Sequence, residues 1–153
     1  MTEWFKVPVL KTGVFFNTVG SNPTSSLNKK KKNMIQLNST LKVIDNSGAR
    51  LARCIKVLNN TKYAYTGDLI IVAIRKVLPN KKIKLGEVHK GLIVSTTKNQ
   101  KRFNGTYFKS HQNAIVLLTN KGLPQGSRII GSLSRDLRKK GFKKIVSLAK
   151  KSI

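Results

Sequence analysis

The sequence predicts a mainly β protein: a small closed five-stranded antiparallel β-barrel with a β-hairpin extension and short C-terminal helices. Three observations lead there. Between residues 34 and 118, apolar runs of strand length alternate with clusters of turn-forming residues. No helical stretch separates those runs, and helix signals are confined to the tail. Strands joined by short turns close most simply into a barrel, which also removes the exposed edges that aggregate.

Taken in order, Leu41-Lys42-Val43-Ile44 is the first strand, stopped by the turn formers Asp45-Asn46-Ser47-Gly48. Leu51 to Leu58 then alternates apolar and basic residues, as a half-buried strand does, and Asn59-Asn60-Thr61 closes it. After Gly67-Asp68, Leu69-Ile70-Ile71-Val72-Ala73-Ile74 is apolar on both faces and reads as a fully buried strand. Pro79-Asn80 with Lys81, Lys82 and Lys84 makes a basic loop before the strand Val88 to Val94. Asn104-Gly105 is the dipeptide of a type I′ turn, so Lys98–Phe103 and Thr106–Lys109 are expected to form a projecting hairpin. Its arms interleave Lys98, Lys101, Arg102 and Lys109 with Phe103, Tyr107 and Phe108. Ala114-Ile115-Val116-Leu117-Leu118 is the last core strand. In the tail, Ser134 is the expected N-cap of a helix with Asp136 in its first turn and Gly141 as its stop. A second short apolar piece, Ile145 to Leu148, is expected to pack back on the barrel.

Charge narrows the function. The 153 residues carry 31 Lys+Arg against 5 Asp+Glu, a formal net charge of +26. Such a surface repels itself unless a polyanion neutralises it. Residues 34–153 alone hold 25 basic and 4 acidic residues, a net of +21 distributed over every loop and strand. A DNA regulator concentrates charge on one groove-reading element, whereas charge on many surfaces suits a protein embedded in folded RNA. No apolar run approaches the ~20 residues of a membrane-spanning helix, and no membrane partner is expected.

The chemistry-bearing residue types point away from catalysis. Two-metal nucleases gather several carboxylates at one point. Asp45, Asp68, Glu87 and Asp136 each stand instead beside a turn or a helix start, where a carboxylate caps backbone. His89 and His111 are isolated from any nucleophile motif, and the single Cys54 occupies an alternating strand position as a small core residue. No cofactor or metal is expected. Asp45-Asn46-Ser47-Gly48-Ala49-Arg50 is either an ordinary tight turn or a cradle of backbone N–H groups for a phosphate, with Arg50 beside it. Gly122-Leu123-Pro124-Gln125-Gly126 matches no nucleotide-binding glycine pattern. The hairpin aromatics either stack on bases or pack on one another across the hairpin.

Several motifs then occur in a characteristic order: Met34-Ile35-Gln36, Asp45 to Arg50, Cys54-Ile55-Lys56-Val57-Leu58 and Gly67-Asp68. Gly91-Leu92-Ile93-Val94, Asn113 to Leu118, Arg128-Ile129-Ile130-Gly131 and Ser147-Leu148-Ala149 follow. The chain resembles the universal L-fourteen family of large-subunit ribosomal proteins in its bacterial and organellar form, across residues 34–153, with Met34 at the family's own start. The resemblance implies a five-stranded barrel without catalytic activity, bound to large-subunit rRNA beside ribosomal proteins L-three and L-nineteen. It also implies bridges to small-subunit rRNA and, in bacteria and mitochondria, docking of a ribosome-silencing factor. By that resemblance Ser127, Arg128 and Lys144 belong to the protein-partner surface. The side chains expected to meet RNA are Lys42, Asn46, Ser47, Arg50, Arg53, Lys56, Arg75, Lys81, Lys82, Lys84, Lys98, Lys101, Arg102, Arg135 and Arg138. Ser127, Ser95, Ser110, Ser132 and Asp136 depart from the family's usual Thr, Arg, aromatic, Pro and Glu at those places. The runner-up function is a free RNA-binding or translation factor on a similar barrel.

Residues 1–33 read as a disordered extension: Gly20 to Ser26 is linker chemistry and Lys29 to Lys32 a like-charge block. Gly20-Ser21-Asn22-Pro23 can be written GGT TCG AAT CCN, like the T-arm of a transfer RNA gene, and Glu3-Trp4-Phe5-Lys6 like a D-arm in the same frame. The segment is thus either a conceptual translation of a neighbouring gene, with the mature protein starting near Met34, or a genuine basic arm. The 24 Lys, 13 Asn and 13 Ile suggest A/T-rich coding. With no convincing import signal in that segment, the expectation is a mitochondrial ribosome, with plastid or bacterial cytoplasm as alternatives.

Overall fold

The computed structural model describes residues 35–59, 61–102 and 104–153. The chain divides between Lys31 and Lys32, and the fold is that of the unit Lys32–Ile153. The expectations for residues 1–33, for Met34 and for Phe103 lie outside the described residues.

The strands in chain order are β1 (Thr40–Val43), β2 (Ala49–Val57), β3 (Leu69–Val77), β4 (Val88–Ser95), β5 (Gln100–Lys101), β6 (Tyr107–Phe108), β7 (Ala114–Leu118) and β8 (Ile129–Leu133). Helices α1 (Asp136–Lys139) and α2 (Lys143–Leu148) and a last strand β9 (Ala149–Ser152) complete the chain. Five strands close a barrel in the order β1-β2-β3-β4-β7. Four of its seams are antiparallel, as expected. The fifth is not: β1 and β7 run parallel, with Lys42 opposite Ala114 and Val43 opposite Ile115. Directions that alternate around a ring of five must repeat once, so an odd-stranded barrel of this kind carries one parallel seam.

The core is double. Inside the barrel lie Leu41, Val43, Ala52, Cys54, Val57, Ile70, Val72, Ile74, Ile93, Ile115 and Leu117, with Ile35 and Ile83 among them from flanking segments. A second layer, Leu92, Val94, Ala114, Val116 and Leu118, faces outward from β4 and β7 and is covered by Ile129, Leu133, Leu137 and Ile145. The strands buried on both faces are therefore the end of β4 and all of β7, not β3. In β3 only Ile70, Val72 and Ile74 point inward, while Leu69, Ile71 and Ala73 remain partly exposed. The reason is positional: helices and β8 pack over β4–β7, and no layer covers β3 as fully.

Beyond the barrel, β5 and β6 pair as the expected hairpin. Its turn differs from the expected two-residue type I′. Arg102 N donates to Thr106 O at 2.8 Å and Gly105 N to Arg102 O at 3.1 Å, and Gly105 has a positive φ of 80°. That is a three-residue loop with its glycine in the left-handed position, the next commonest hairpin solution. Strands β8 and β9 form a parallel pair that sequence patterning did not single out as strands. Gly131 and Ser132 interrupt β8, and Ala149-Lys150-Lys151-Ser152 has no alternation to read. Helix α1 starts at Asp136, its N-cap is Arg135 rather than Ser134, and Gly141 (φ 92°) follows its C-cap, Lys140. Ile145 of α2 is buried in the outer layer, as expected of a piece packing back on the barrel.

Candidate nucleic-acid interface

At one end of the barrel the turn after β1 is locked by its first residue. Asp45 is buried; its Oδ1 accepts from Ser47 N at 3.1 Å and from the Ser47 hydroxyl, and its Oδ2 accepts from Leu117 N at 2.9 Å. Asn46 N donates to Arg128 O at 3.0 Å. Two of the amides that could have cradled a phosphate are thus taken inside the protein, which corrects the backbone-cradle reading. What the turn offers outward is the exposed Asn46 side chain and, next to it, Arg50.

Gly126 lies against the same turn. A Cβ there would stand 2.8 Å from Asn46 N, 2.9 Å from Asp45 Cβ and 3.3 Å from Ser47 N. Only a glycine lets the loop before β8 approach this closely. The approach places exposed Ser127 and Arg128 directly beside Asn46 and Ser47, although some 80 residues of chain separate them. On the other side, the Lys81 stem lies over Gly48 (φ 102°), where an added Cβ would meet Lys81 Cβ at 2.5 Å. Leu78 N donates to Gly48 O at 2.9 Å, and Ile83 plugs into the core, so the basic loop is tied to the same barrel end. Asn80 takes a left-handed φ of 61° to make that turn. Asn46, Lys81 and Arg128, from three separate loops, therefore gather at one end.

The barrel wall carries a second group. Lys42 stands opposite Leu51, and Leu51 opposite Lys76. Lys42, Arg50, Leu51, Lys76, Val77 and Leu78 line a shallow groove of about 360 Å³. Lys56, Ile71 and Lys90 form one transverse row across β2, β3 and β4. Lys76 and Lys90 were missed from sequence; the signal was pairing across strands, which one strand's own pattern does not display. Arg53 stands opposite Thr40 and Ala73 and is half-buried, while Arg75, Lys82 and Lys84 are exposed. Lys144 is exposed on α2.

The hairpin and α1 make a third group. Arg102, Asn104, Arg135, Asp136, Arg138 and Lys139 line a cleft of about 520 Å³. Arg102 is its floor rather than a free cation. Its Nε donates to Asp136 Oδ2 at 3.1 Å, and its Nη2 donates to Ser134 Oγ at 3.4 Å and to Ile153 O at 2.8 Å. The guanidinium also lies 5.0 Å from the centre of the Phe108 ring, at cation–π distance. Arg102, expected to meet RNA, has these donors engaged in holding the hairpin to the tail. Gln100 ties the hairpin base to Thr66 Oγ1 at 2.6 Å, and Lys140 Nζ donates to Thr66 O at 2.7 Å. Lys98 and Lys101 remain exposed.

The acidic and sulfur groups serve structure. Asp68 Oδ2 accepts from Tyr65 N at 2.7 Å and Asp136 accepts from Ser134 Oγ at 3.0 Å, as turn and cap residues do. Glu87 lies 3.0 Å from His89 Nε2; that hydrogen bond first, and one from the Lys84 backbone second, hold its carboxyl below the usual carboxylate range. Cys54 is fully buried, and burial pushes its thiol up, away from the reactive thiolate.

The fold and these groups define a basic β-barrel protein whose carboxylates brace turns while its cations point outward. The family model described as Ribosomal protein L14p/L23e matches residues 34–153, and the chain belongs to that family. It is accordingly a structural protein of the large ribosomal subunit, in a family that is generally non-enzymatic.

Proposed function

We propose that the protein binds large-subunit rRNA through its barrel end, its β1–β3 groove and its hairpin–helix cleft, and that it contributes to bridges with small-subunit rRNA. The observation that carries this is the meeting of Asn46 and Lys81 from separate loops at one barrel end, within a family of ribosomal proteins. The RNA-facing side chains on this reading are the exposed members of the set predicted from sequence, with Lys76 and Lys90 added and Arg102 assigned to hold the hairpin. Proteins L-three and L-nineteen are the proposed neighbours. The surface around Ser127, Arg128 and Lys144 is the proposed dock for protein partners, a silencing factor included.

Residues 34–153 are the proposed functional domain, and a mitochondrial ribosome the proposed location. The leading segment is read as translation of an adjacent transfer RNA gene; an intact mass of the native protein that retains Trp4 and Phe5 overturns that reading. Co-sedimentation with large subunits in moderate salt, with crosslinks mapped to rRNA, tests the main proposal. Arg128→Ala with Lys144→Ala should still enter large subunits and should weaken subunit joining or silencing-factor binding. Exclusion of the double variant from large subunits would assign these side chains to assembly instead.

A further inference from the structure

The two faces of the hairpin are used differently. Gln100 and Phe108 are paired across it, and Gln100, Arg102 and Phe108 all face the body of the protein: Gln100 bonds Thr66, Arg102 bonds Ser134, Asp136 and Ile153, and Phe108 lies under the Arg102 guanidinium. The alternate residues, Lys101 and Tyr107, are paired on the other face. Tyr107 is 67% exposed, among the most exposed large side chains of the described residues, and Lys101 beside it is exposed as well. A phenol ring held outward on a strand that is bolted down on its opposite side is a pre-organised flat surface. Every base has a π-face to lay on it, and a cation at the paired position of the neighbouring strand suits the phosphate of the same nucleotide.

We infer that Tyr107 and Lys101 form a site for one unpaired nucleotide, with its base stacked on the Tyr107 ring and its phosphate against Lys101. The inference rests on the RNA-binding reading and adds to it a ligand class, single-stranded rather than helical RNA, at a named place. It also decides between the two aromatic residues of β6: Phe108 is occupied by Arg102, and Tyr107 is the one left for RNA. A duplex keeps its bases stacked on one another and offers the ring nothing but a helix end.

The test compares the full chain with two probes, a short RNA hairpin bearing a single-stranded loop and a blunt duplex of matched length. Tyr107→Ala should weaken binding of the looped RNA by about 5- to 150-fold, the range alanine substitution gives for one stacked base. The duplex affinity should hold, and the log–log salt slope on either probe should not change, because a phenol releases no counterions. Tyr107→Phe should restore the loop affinity. Ultraviolet crosslinking of the unaltered protein should attach a loop nucleotide to the peptide containing Tyr107, which keeps the test open even where the alanine variant folds poorly. Equal loop affinity for Tyr107→Ala and the unaltered chain, or crosslinks that avoid this peptide, overturns the stacking site while leaving RNA binding intact. Failure of the unaltered chain to bind either RNA overturns both readings.

Discussion

Asp45 shows how much a single side chain can organise here. Its two oxygens join the β1–β2 turn to Leu117 near the end of β7, 72 positions away, so the turn's shape and the barrel's closing seam depend on the same carboxylate. Gly126 completes the arrangement by pressing its backbone against that turn. Gly126→Ala should destabilise the protein by about 1–3 kcal/mol, the usual cost of overpacking, because the colliding atoms are backbone and have little room to yield. Chemical denaturation at neutral pH measures it, and an unchanged midpoint would mean the loop simply moves away. A second residue-scale expectation concerns Glu87. Its carboxyl is held below the usual range chiefly by His89, so the pair contributes stability above the unfolded carboxylate value and loses it as pH falls through the depressed folded value. In His89→Ala the Glu87 titration, followed by carboxyl NMR, should move upward toward an ordinary glutamate; no movement would assign the shift to the Lys84 backbone.

At the scale of elements, Arg102 is a bolt between the hairpin and the tail. Removing its guanidinium leaves the buried Ser134 and the Asp136 carboxylate bonded only to each other, with nothing tying them to the hairpin. Arg102→Ala should therefore speed amide exchange in residues 98–109 at least tenfold, about 1.4 kcal/mol of local opening, while amides of β2 and β3 hold their rates. Uniform acceleration throughout the barrel would show that the hairpin is not an independent unit. The same element explains what was legible in the sequence. Strand β7, the hairpin and the first tail helix could be read because each is written in consecutive residues, as apolar run, Asn-Gly or glycine stop, although the N-cap falls at Arg135 and not at Ser134. The Arg102 bolt could not, since its partners lie 32, 34 and 51 residues onward. For the same reason the run Leu69 to Ile74 predicts a burial on both faces that the structure gives to the end of β4 and to β7. Leu69 to Ile74 is the more continuous apolar run, yet burial of the outward face depends on whether α1, α2 and β8 come to lie over it.

For the molecule as a whole, the excess of cations is the dominant physical fact. A net charge of +26 on 153 residues means that the isolated protein carries strong self-repulsion, and only 4 of its acidic residues fall in the domain of residues 34–153. Those four are drawn into turns, caps, ion pairs and hydrogen bonds: Asp136 pairs with Arg102 and Asp68 with Lys140, while Glu87 bonds to His89 and Asp45 to backbone amides. Most of the cations are therefore left to solvent, on the barrel end, the β1–β3 groove, the hairpin and the helices, and neutralisation has to come from outside. A polyanion that wraps several faces displaces condensed counterions for every phosphate engaged, so the observed affinity for RNA should fall linearly with salt on logarithmic axes. With three separate basic groups available, the slope should exceed roughly 4 in magnitude. Two variants divide that slope by place: Lys42→Ala with Lys76→Ala in the groove, and Arg135→Ala with Arg138→Ala beside the cleft. Each pair should lower the slope by up to about 2 without unfolding the barrel, because all four side chains are exposed. A slope that collapses on losing one pair would put the RNA on a single face, and a nearly salt-independent affinity would remove the electrostatic basis for binding on any face.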